Sequence, residues 1–134
     1  MVIVDDSPLI VDRLQQMLKP VSKIQVAGVA GNIGSGFDLI SEIVPDVVIL
    51  DIYLEDDAPK ANGLSLLAII TEAFPKTQVI MLTNLSGGHY RNKCLGMGAK
   101  YFLDKSNEFE RIPDILVDIF NQSRVSVEWP QRDN

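Results

Sequence analysis

The sequence predicts a doubly wound α/β fold, with five parallel strands in one sheet and helices on both of its faces. Short apolar runs rich in β-branched residues alternate with amphipathic helical segments along nearly the whole chain. A polar or charged residue stands just past four of these runs. Strands separated by helices pair in parallel, because the connection between parallel neighbours must cross the sheet and is right-handed.

The first half of the chain contains three predicted strands and two predicted helices. Residues 1–4, Met-Val-Ile-Val, form an apolar run that predicts a strand buried on both faces. Ser7 and Pro8 supply an N-cap and a first-turn proline for a helix whose apolar face reaches Leu18. A second strand is predicted over 24–29, a helix over 37–44 and a third strand over 46–50.

The second half continues the alternation and ends on a helix. Pro113 is tolerated only in the first turn of a helix, so we predict a separate short turn over 107–111 before the last helix. That helix presents an apolar face that ends at Phe120. The other predicted elements are a helix over 64–74, a strand over 78–82, a helix over 90–97 and a strand over 101–103.

Length and charge limit the domain count and the class of partner. A chain of 134 residues has room for one domain, which we place over 1–121, followed by a polar tail over 122–134. The net charge of −6 opposes direct binding to nucleic acid. No apolar run approaches the roughly 20 residues needed to cross a bilayer. Cys94 is the single cysteine and is predicted to be a buried apolar residue, which fits a cytoplasmic protein.

Several of the polar residues at the predicted strand ends have complementary chemistry. They are Asp5 and Asp6, Asp51, Thr83 and Lys105. Ligands of doubly wound sheets bind outside the carboxyl ends of the strands, so these side chains are expected to converge at one edge. Three carboxylates placed together repel one another unless a cation compensates them, and oxygen ligands favour Mg²⁺. A lysine and a threonine hydroxyl beside them suit the oxygens of a phosphoryl group.

From residue 2 to residue 120 the chain resembles the receiver domains of two-component response regulators. This resemblance implies a flavodoxin-like sheet with the strand order 2-1-3-4-5. Each motif is weak alone, but their order and spacing together are specific. The motifs are Val-Asp-Asp-Ser-Pro from Val4, Pro-Asp-Val-Val-Ile-Leu-Asp ending at Asp51, Val-Ile-Met-Leu-Thr ending at Thr83, and Gly-Ala-Lys-Tyr-Phe-Leu-Asp-Lys ending at Lys105.

The resemblance also implies a function, a phosphorylation-activated switch rather than an enzyme. Asp51 would accept a phosphoryl group, as 4-aspartylphosphate, from a sensor histidine kinase or a phosphotransfer protein. Thr83 and Lys105 would bind the phosphoryl oxygens. Phe102 falls at the family's aromatic switch position, coupled to movement of Thr83. The output would pass through protein contacts to an unidentified target, with a phosphorylation-dependent homodimer as one form.

For the metal, the resemblance implies a Mg²⁺ site made of side-chain and main-chain oxygens. Asp6, Asp51 and the main-chain carbonyl of Tyr53 would hold the ion, and Asp5 would act mainly through water. Direct contact with nucleic acid or with a membrane is not expected of this domain.

The chain departs from the family's usual pattern at three places. Gly63 comes later after Asp51 than the corresponding family glycine, and the extra residues fall in an acidic loop over 55–62. Asn84 follows Thr83 where a smaller residue is common, which predicts a narrower approach to Asp51. Ser106 stands where proline often follows the lysine.

Each candidate residue also has a structural interpretation. Asp5 and Asp6 suit a helix N-terminus, where negative charge is favourable, and Lys105 could be an ordinary surface lysine. An aromatic residue in a short strand, such as Phe102, is commonly part of the core. Their joint occurrence at the predicted strand ends favours the functional interpretation.

Three other functions share some of these features. A Mg²⁺-dependent aspartyl phosphatase usually needs a second aspartate two residues after its nucleophile, where this chain has Tyr53. A flavodoxin-like nucleotide binder needs an anion-binding loop after the first strand, which Asp5 and Asp6 oppose. Finally, the chain could be the receiver fragment of a longer DNA-binding response regulator, although the short polar tail favours a regulator that stands alone and acts through protein partners.

Overall fold

The computed structural model describes the backbone of residues 1–54, 63–84 and 88–132, with side chains as far as residue 122. Five strands alternate with five helices over these residues, as predicted, and a short 3₁₀ helix precedes the last of them. In chain order they are β1 Val2–Val4, α1 Pro8–Leu18, β2 Gly28–Ala30, α2 Ile33–Ile43, β3 Val47–Leu50, α3 Gly63–Ala73, β4 Gln78–Thr83, α4 Gly88–Gly96, β5 Tyr101–Asp104, the 3₁₀ helix Phe109–Arg111 and α5 Ile112–Arg132.

The strands form one parallel sheet in the order β2-β1-β3-β4-β5, which confirms the predicted fold class and strand order. The order reverses between β1 and β3, because the chain first adds β2 on one side of β1 and then β3 on the other. Ligands of doubly wound sheets bind at such a switch point. Asp5 and Asp51 follow β1 and β3, so they lie at this point.

The sheet is covered on both faces by separate apolar clusters. On one face, Val2 and Val4 of β1 pack in a cluster with buried residues of α2, α3 and α4. On the other face, Ile3 packs with buried residues of α1 and α5. Alternate residues of one strand therefore serve opposite faces, which is why the strand sequence is apolar throughout.

The second strand is shorter than the predicted span of 24–29, because pairing sets its length. Its three residues pair with the three residues of β1. Before it, the main-chain N–H of Ala27 donates to the carbonyl of Met1 at 2.8 Å, while Ile24 and Val26 pack against the α1/α5 cluster. These two residues are apolar because they pack in that cluster, not because they pair with β1.

The last helix is longer than predicted. Its start agrees with the prediction. Pro113 lies in the first turn, and the 3₁₀ helix falls within the predicted turn over 107–111. Beyond Phe120 the helix continues to Arg132, through most of the segment predicted as a polar tail. Residues 121–129 contain no glycine or proline, and extending a helix is far easier than starting one. Pro130 falls only in the last turn, where its missing main-chain N–H costs the helix one hydrogen bond. A domain boundary at residue 121 stays a prediction.

Of the helices in the described part of the chain, none combines the length and the apolar character that crossing a bilayer requires.

Val44 ends α2 in a backbone conformation that valine disfavours. Its φ of 46° and ψ of 66° lie in the left-handed region, where a β-branched side chain is strained. Because the residue is 55% exposed, little packing would be lost on replacement. We expect Val44→Asn to raise the free energy of unfolding by about 1 kcal/mol in urea denaturation, since asparagine tolerates this region.

The control for this prediction is Val117→Asn. Val117 is 41% exposed and lies within the right-handed backbone of α5, so the same change should give no gain there. Equal effects at the two sites would show that Val44 is not strained.

Candidate functional site

The three aspartates predicted to bind a metal lie together at the switch point of the sheet. Asp5 and Asp51 are only 4% and 7% exposed, and Asp6 is half-buried. Each of the three offers a carboxylate oxygen, and these oxygens lie within 4.8 Å of one another. The main-chain N–H of Ser7 donates to Oδ1 of Asp5 at 2.8 Å, which fixes that carboxylate at the start of α1. This cluster confirms that the predicted strand ends converge.

Lys105 joins this cluster from the turn that follows β5. Its Nζ lies 2.8 Å from Oδ2 of Asp5 and 2.8 Å from Oδ2 of Asp51, and its side chain is 8% exposed. It is therefore a buried bridge between two carboxylates, not an ordinary surface lysine. With all four groups ionised, one ammonium against three carboxylates leaves a charge equal and opposite to that of a divalent cation.

Burial and ion pairing act in opposite directions on the ionisation of this cluster. Burial raises the pKa of Asp5 above its ordinary value, and the hydrogen bonds from Lys105 and from the main chain of Ser7 offset only part of that effect. Burial alone would lower the pKa of Lys105, but its hydrogen bonds to Asp5 and Asp51 outweigh burial and raise it. Lys105 therefore stays charged at neutral pH.

Thr83 and Phe102, the two predicted switch residues, lie on neighbouring strands. Thr83 ends β4, is 1% exposed, and its carbonyl accepts from the main-chain N–H of Lys105 at 2.9 Å. Phe102 is buried in the cluster shared by the sheet with α2, α3 and α4. It is thus part of the core, as its structural interpretation predicted, while also lying in the strand that leads to Lys105.

Gly63 touches the main chain of the candidate phosphoacceptor, a contact that sequence reasoning missed. Its N–H donates to the carbonyl of Ile52 at 2.7 Å. A Cβ at this position would collide with the carbonyl oxygen of Asp51 and would lie 2.8 Å from Cα of Ile52. The sequence did not reveal this contact, because the acidic loop over 55–62 separates Gly63 from Asp51 along the chain. That loop lies outside the described residues.

An open groove of about 820 Å³ leads to Asp51. One wall comes from α1, including Ile10 and Arg13, and the other from the turn after β5 and the 3₁₀ helix, including Phe109. The guanidinium of Arg13 lies 4.5 Å from the centre of the Phe109 ring, which joins the two walls. The groove is far larger than a phosphate ion, so a side chain of another protein could enter it.

Two further residues named in the sequence analysis, Asn84 and Tyr53, have different surroundings. Asn84 lines the groove together with Asp51. Whether it narrows the approach to Asp51 stays a prediction. Tyr53 is 38% exposed, and its hydroxyl lies 3.4 Å from the hydroxyl of Tyr90 in α4. The hydrogen bond to Tyr90 raises the pKa of Tyr53. Tyr90 was not singled out from the sequence, because nothing in its local pattern shows this contact.

Comparison with known proteins agrees with this architecture. The family model for the response regulator receiver domain matches residues 1–117. A transcriptional regulatory protein of Rhizobium johnstonii, MctR, is 28% identical over 82% of this chain and 50% of its own. A protein-glutamate methylesterase/protein-glutamine glutaminase of Lawsonia intracellularis is 37% identical over 78% of this chain and 28% of its own. The chain thus spans half or less of these curated relatives.

Solved structures show the same fold. A CheX-CheY complex with BeF₃ and Mg²⁺ from Borrelia burgdorferi matches with a TM-score of 0.77 and 26% identity, covering 89% of this chain and 87% of that one. The signal receiver domain of NarL from Mycobacterium tuberculosis matches with a TM-score of 0.76 and 24% identity, covering 87% and 91%. Since the family match spans most of the sequence and the sheet order agrees with it, the chain belongs to the response regulator receiver domain family, whose members are phosphoacceptor switches of two-component systems.

Proposed function

We propose that Asp51 is the phosphoacceptor of this receiver domain and takes its phosphoryl group from a phosphohistidine of a sensor kinase or a phosphotransfer protein. The observation that carries this proposal is the position of Asp51. Its carboxylate lies at the base of the open groove, beside Asp5 and Asp6, with Lys105 bound to one of its oxygens. The groove gives a partner's side chain a path to this carboxylate.

The transfer requires little covalent chemistry from the protein beyond this nucleophile. A carboxylate oxygen of Asp51 forms a bond to phosphorus while the bond from phosphorus to the imidazole nitrogen breaks. The imidazole nitrogen keeps the electron pair and takes up a proton. Lys105 and Thr83 would donate hydrogen bonds to the phosphoryl oxygens as negative charge shifts during the transfer. Lys105 already contacts Asp51, and Thr83 ends β4, the strand next to β3.

The cluster fits Mg²⁺, which would neutralise charge on the phosphoryl oxygens. We propose Asp6, Asp51 and the main-chain carbonyl of Tyr53 as its ligands, with Asp5 acting through water. Support comes from the donor set, three carboxylates whose hard oxygens lie within 4.8 Å of one another. The related Borrelia burgdorferi complex is described with BeF₃ and Mg²⁺.

Intact mass measurement tests the phosphoacceptor directly. We expect the wild-type chain, incubated with Mg²⁺ and a phosphorylated histidine kinase, to gain one phosphoryl group that is stable in acid and lost in base. Asp51→Asn should gain none, because an amide is not nucleophilic in this reaction, and chelation of Mg²⁺ should reduce the yield in the wild type.

The matched control is Asp46→Asn, an exposed aspartate at the opposite end of β3, which should be phosphorylated like the wild type. A phosphoryl group on the Asp51→Asn variant, or none on the wild type with any kinase or small phosphodonor, would contradict the proposal.

The output of the switch is proposed to be a protein contact. The longer curated relatives, one of them named as a transcriptional regulator, support the alternative that this domain belongs to a DNA-binding regulator. Both alternatives use the same chemistry at Asp51. A cytoplasmic location and a homodimer formed on phosphorylation belong to the same proposal, and the buried, unpaired thiol of Cys94 suits a reducing compartment.

A further inference from the structure

A pair of tyrosines connects the segment after β3 to the start of α4. The hydroxyls of Tyr53 and Tyr90 lie 3.4 Å apart, and their rings meet edge to face with centroids 6.5 Å apart. The ring of His89 packs edge to face on Tyr90, with centroids 5.4 Å apart. Tyr90 is half-buried against the cluster under α2, α3 and α4. The contact joins residues that are 37 positions apart in the sequence.

At one end of this contact, Tyr53 is held close to the acidic cluster. It stands two residues after Asp51, between Ile52 and Leu54, which are 0% and 3% exposed. The carbonyl of Ile52 is also fixed by its 2.7 Å hydrogen bond from Gly63. Because both neighbours are packed into the core, the side chain of Tyr53 follows any displacement of the main chain beside the carboxylates.

At the other end, α4 is held by few contacts. Cys94 is its one buried residue. Besides Tyr90, the neighbouring Arg91 reaches across to β5, where its guanidinium donates to the carbonyl of Phe102 at 3.2 Å. In the first turn of α4, Tyr90 therefore bonds to Tyr53, just after Asp51. The next residue, Arg91, bonds to Phe102, the proposed switch residue in β5. A helix with so little buried surface is readily shifted when one such bond changes.

We propose that Tyr90 is a positioning residue for the metal site: its bond to Tyr53 couples the main-chain ligand of Mg²⁺ to the position of α4. This inference rests on the proposed function, which makes the carbonyl of Tyr53 a ligand. Coupling between two sites is reciprocal. Binding of Mg²⁺ therefore changes the surroundings of Tyr90, and a partner that holds α4 in this position strengthens the binding of Mg²⁺.

Magnesium affinities of four chains test the coupling. We expect Tyr53→Phe and Tyr90→Phe each to weaken Mg²⁺ binding about three-fold, the effect of losing one modest hydrogen bond. The double variant should be no weaker than either single variant, because both remove the same bond. Tyr101→Phe is the control, since this half-buried tyrosine of β5 lies in the cluster on the other face. The affinities are obtained from the shifts of the Asp6 and Asp51 amide signals during a Mg²⁺ titration.

The tyrosine rings give a second readout that a purely structural role would not produce. The chain has three tyrosines, so selective ring labelling gives three assignable sets of nuclear magnetic resonance signals. Mg²⁺ should shift the Tyr90 ring signals in the wild type, and this shift should be greatly reduced in Tyr53→Phe. The coupling would be overturned if Mg²⁺ affinity were unchanged in every variant and Mg²⁺ did not shift the Tyr90 ring signals. The mass test at Asp51 is independent of it, so failure of the coupling and failure of the proposed function can be told apart.

Discussion

Replacing Gly63 by alanine is expected to lower the free energy of unfolding by about 3 kcal/mol and to reduce phosphorylation of Asp51 strongly. The added methyl would meet the carbonyl oxygen of Asp51 and the Cα of Ile52, and both obstacles are main-chain atoms. A flexible side chain could rotate away, but here α3 or the end of β3 must move. Urea denaturation measures the loss of stability, and intact mass after incubation with a phosphodonor measures the loss of acceptor function.

Gly96→Ala provides the matched control for this prediction. Gly96 ends α4, and a Cβ there would meet no atom within 4 Å. Alanine should therefore leave stability unchanged or raise it by up to about 1 kcal/mol, and phosphorylation should persist. If Gly63→Ala behaved like Gly96→Ala, α3 would not pack against the main chain of Asp51 as the structure shows.

Replacing Lys105 by methionine is expected to cost about 3 kcal/mol of stability at neutral pH in the absence of Mg²⁺. Methionine fills much the same volume but leaves Asp5 and Asp51 buried without the ammonium that bonds both. The variant should also be phosphorylated poorly, since it lacks the proposed donor to the phosphoryl oxygens. Urea denaturation of both chains at several pH values gives the comparison.

The pH dependence of this difference has a definite sign. Because burial raises the pKa of Asp5, the carboxylate of Asp5 binds a proton at a higher pH in the folded chain than in the unfolded chain. Ionisation of Asp5 therefore lowers the free energy of unfolding as the pH rises. Without Lys105 that cost grows. The gap between wild type and Lys105→Met should therefore be largest near neutral pH and shrink as the pH falls and Asp5 is protonated.

Lys100→Met separates loss of the bridge from loss of a positive charge. Lys100 is exposed just before β5, so its replacement should change stability by less than about 0.5 kcal/mol at any of these pH values. If Lys105→Met changed stability as little as Lys100→Met does, and equally at every pH, the bridge would contribute nothing to stability.

The residues of the site were predictable largely because strand ends are readable in the sequence. Asp5, Asp51, Thr83 and Lys105 each follow an apolar run, and parallel strands bring their carboxyl ends to one edge. Convergence follows from that topology, without knowledge of any side-chain contact. The same reasoning indicated the metal cluster but not its present arrangement, in which one lysine bonds two of the carboxylates.

Features that depend on pairing or on distant packing were not predictable. The length of β2 is set by the three residues that β1 offers it, whereas its own apolar pattern suggested a longer strand. The contact between Tyr53 and Tyr90 depends on how α4 sits on the sheet, and neither residue shows a local signal for it. The approach of Gly63 to Asp51 depends likewise on where α3 begins after the loop.

The order of the strands also bears on self-association. The longest strand, β4, is a run of six residues, Gln78–Thr83, of strong β-forming character, and it lies between β3 and β5 with its last five residues buried. The two outer strands, β2 and β5, have three and four residues, so each edge offers few main-chain groups to a strand of another molecule. The segment best suited to intermolecular pairing is thus shielded while the sheet is intact. The rate of aggregation of this domain should accordingly depend on the fraction of unfolded molecules rather than on the concentration of folded ones.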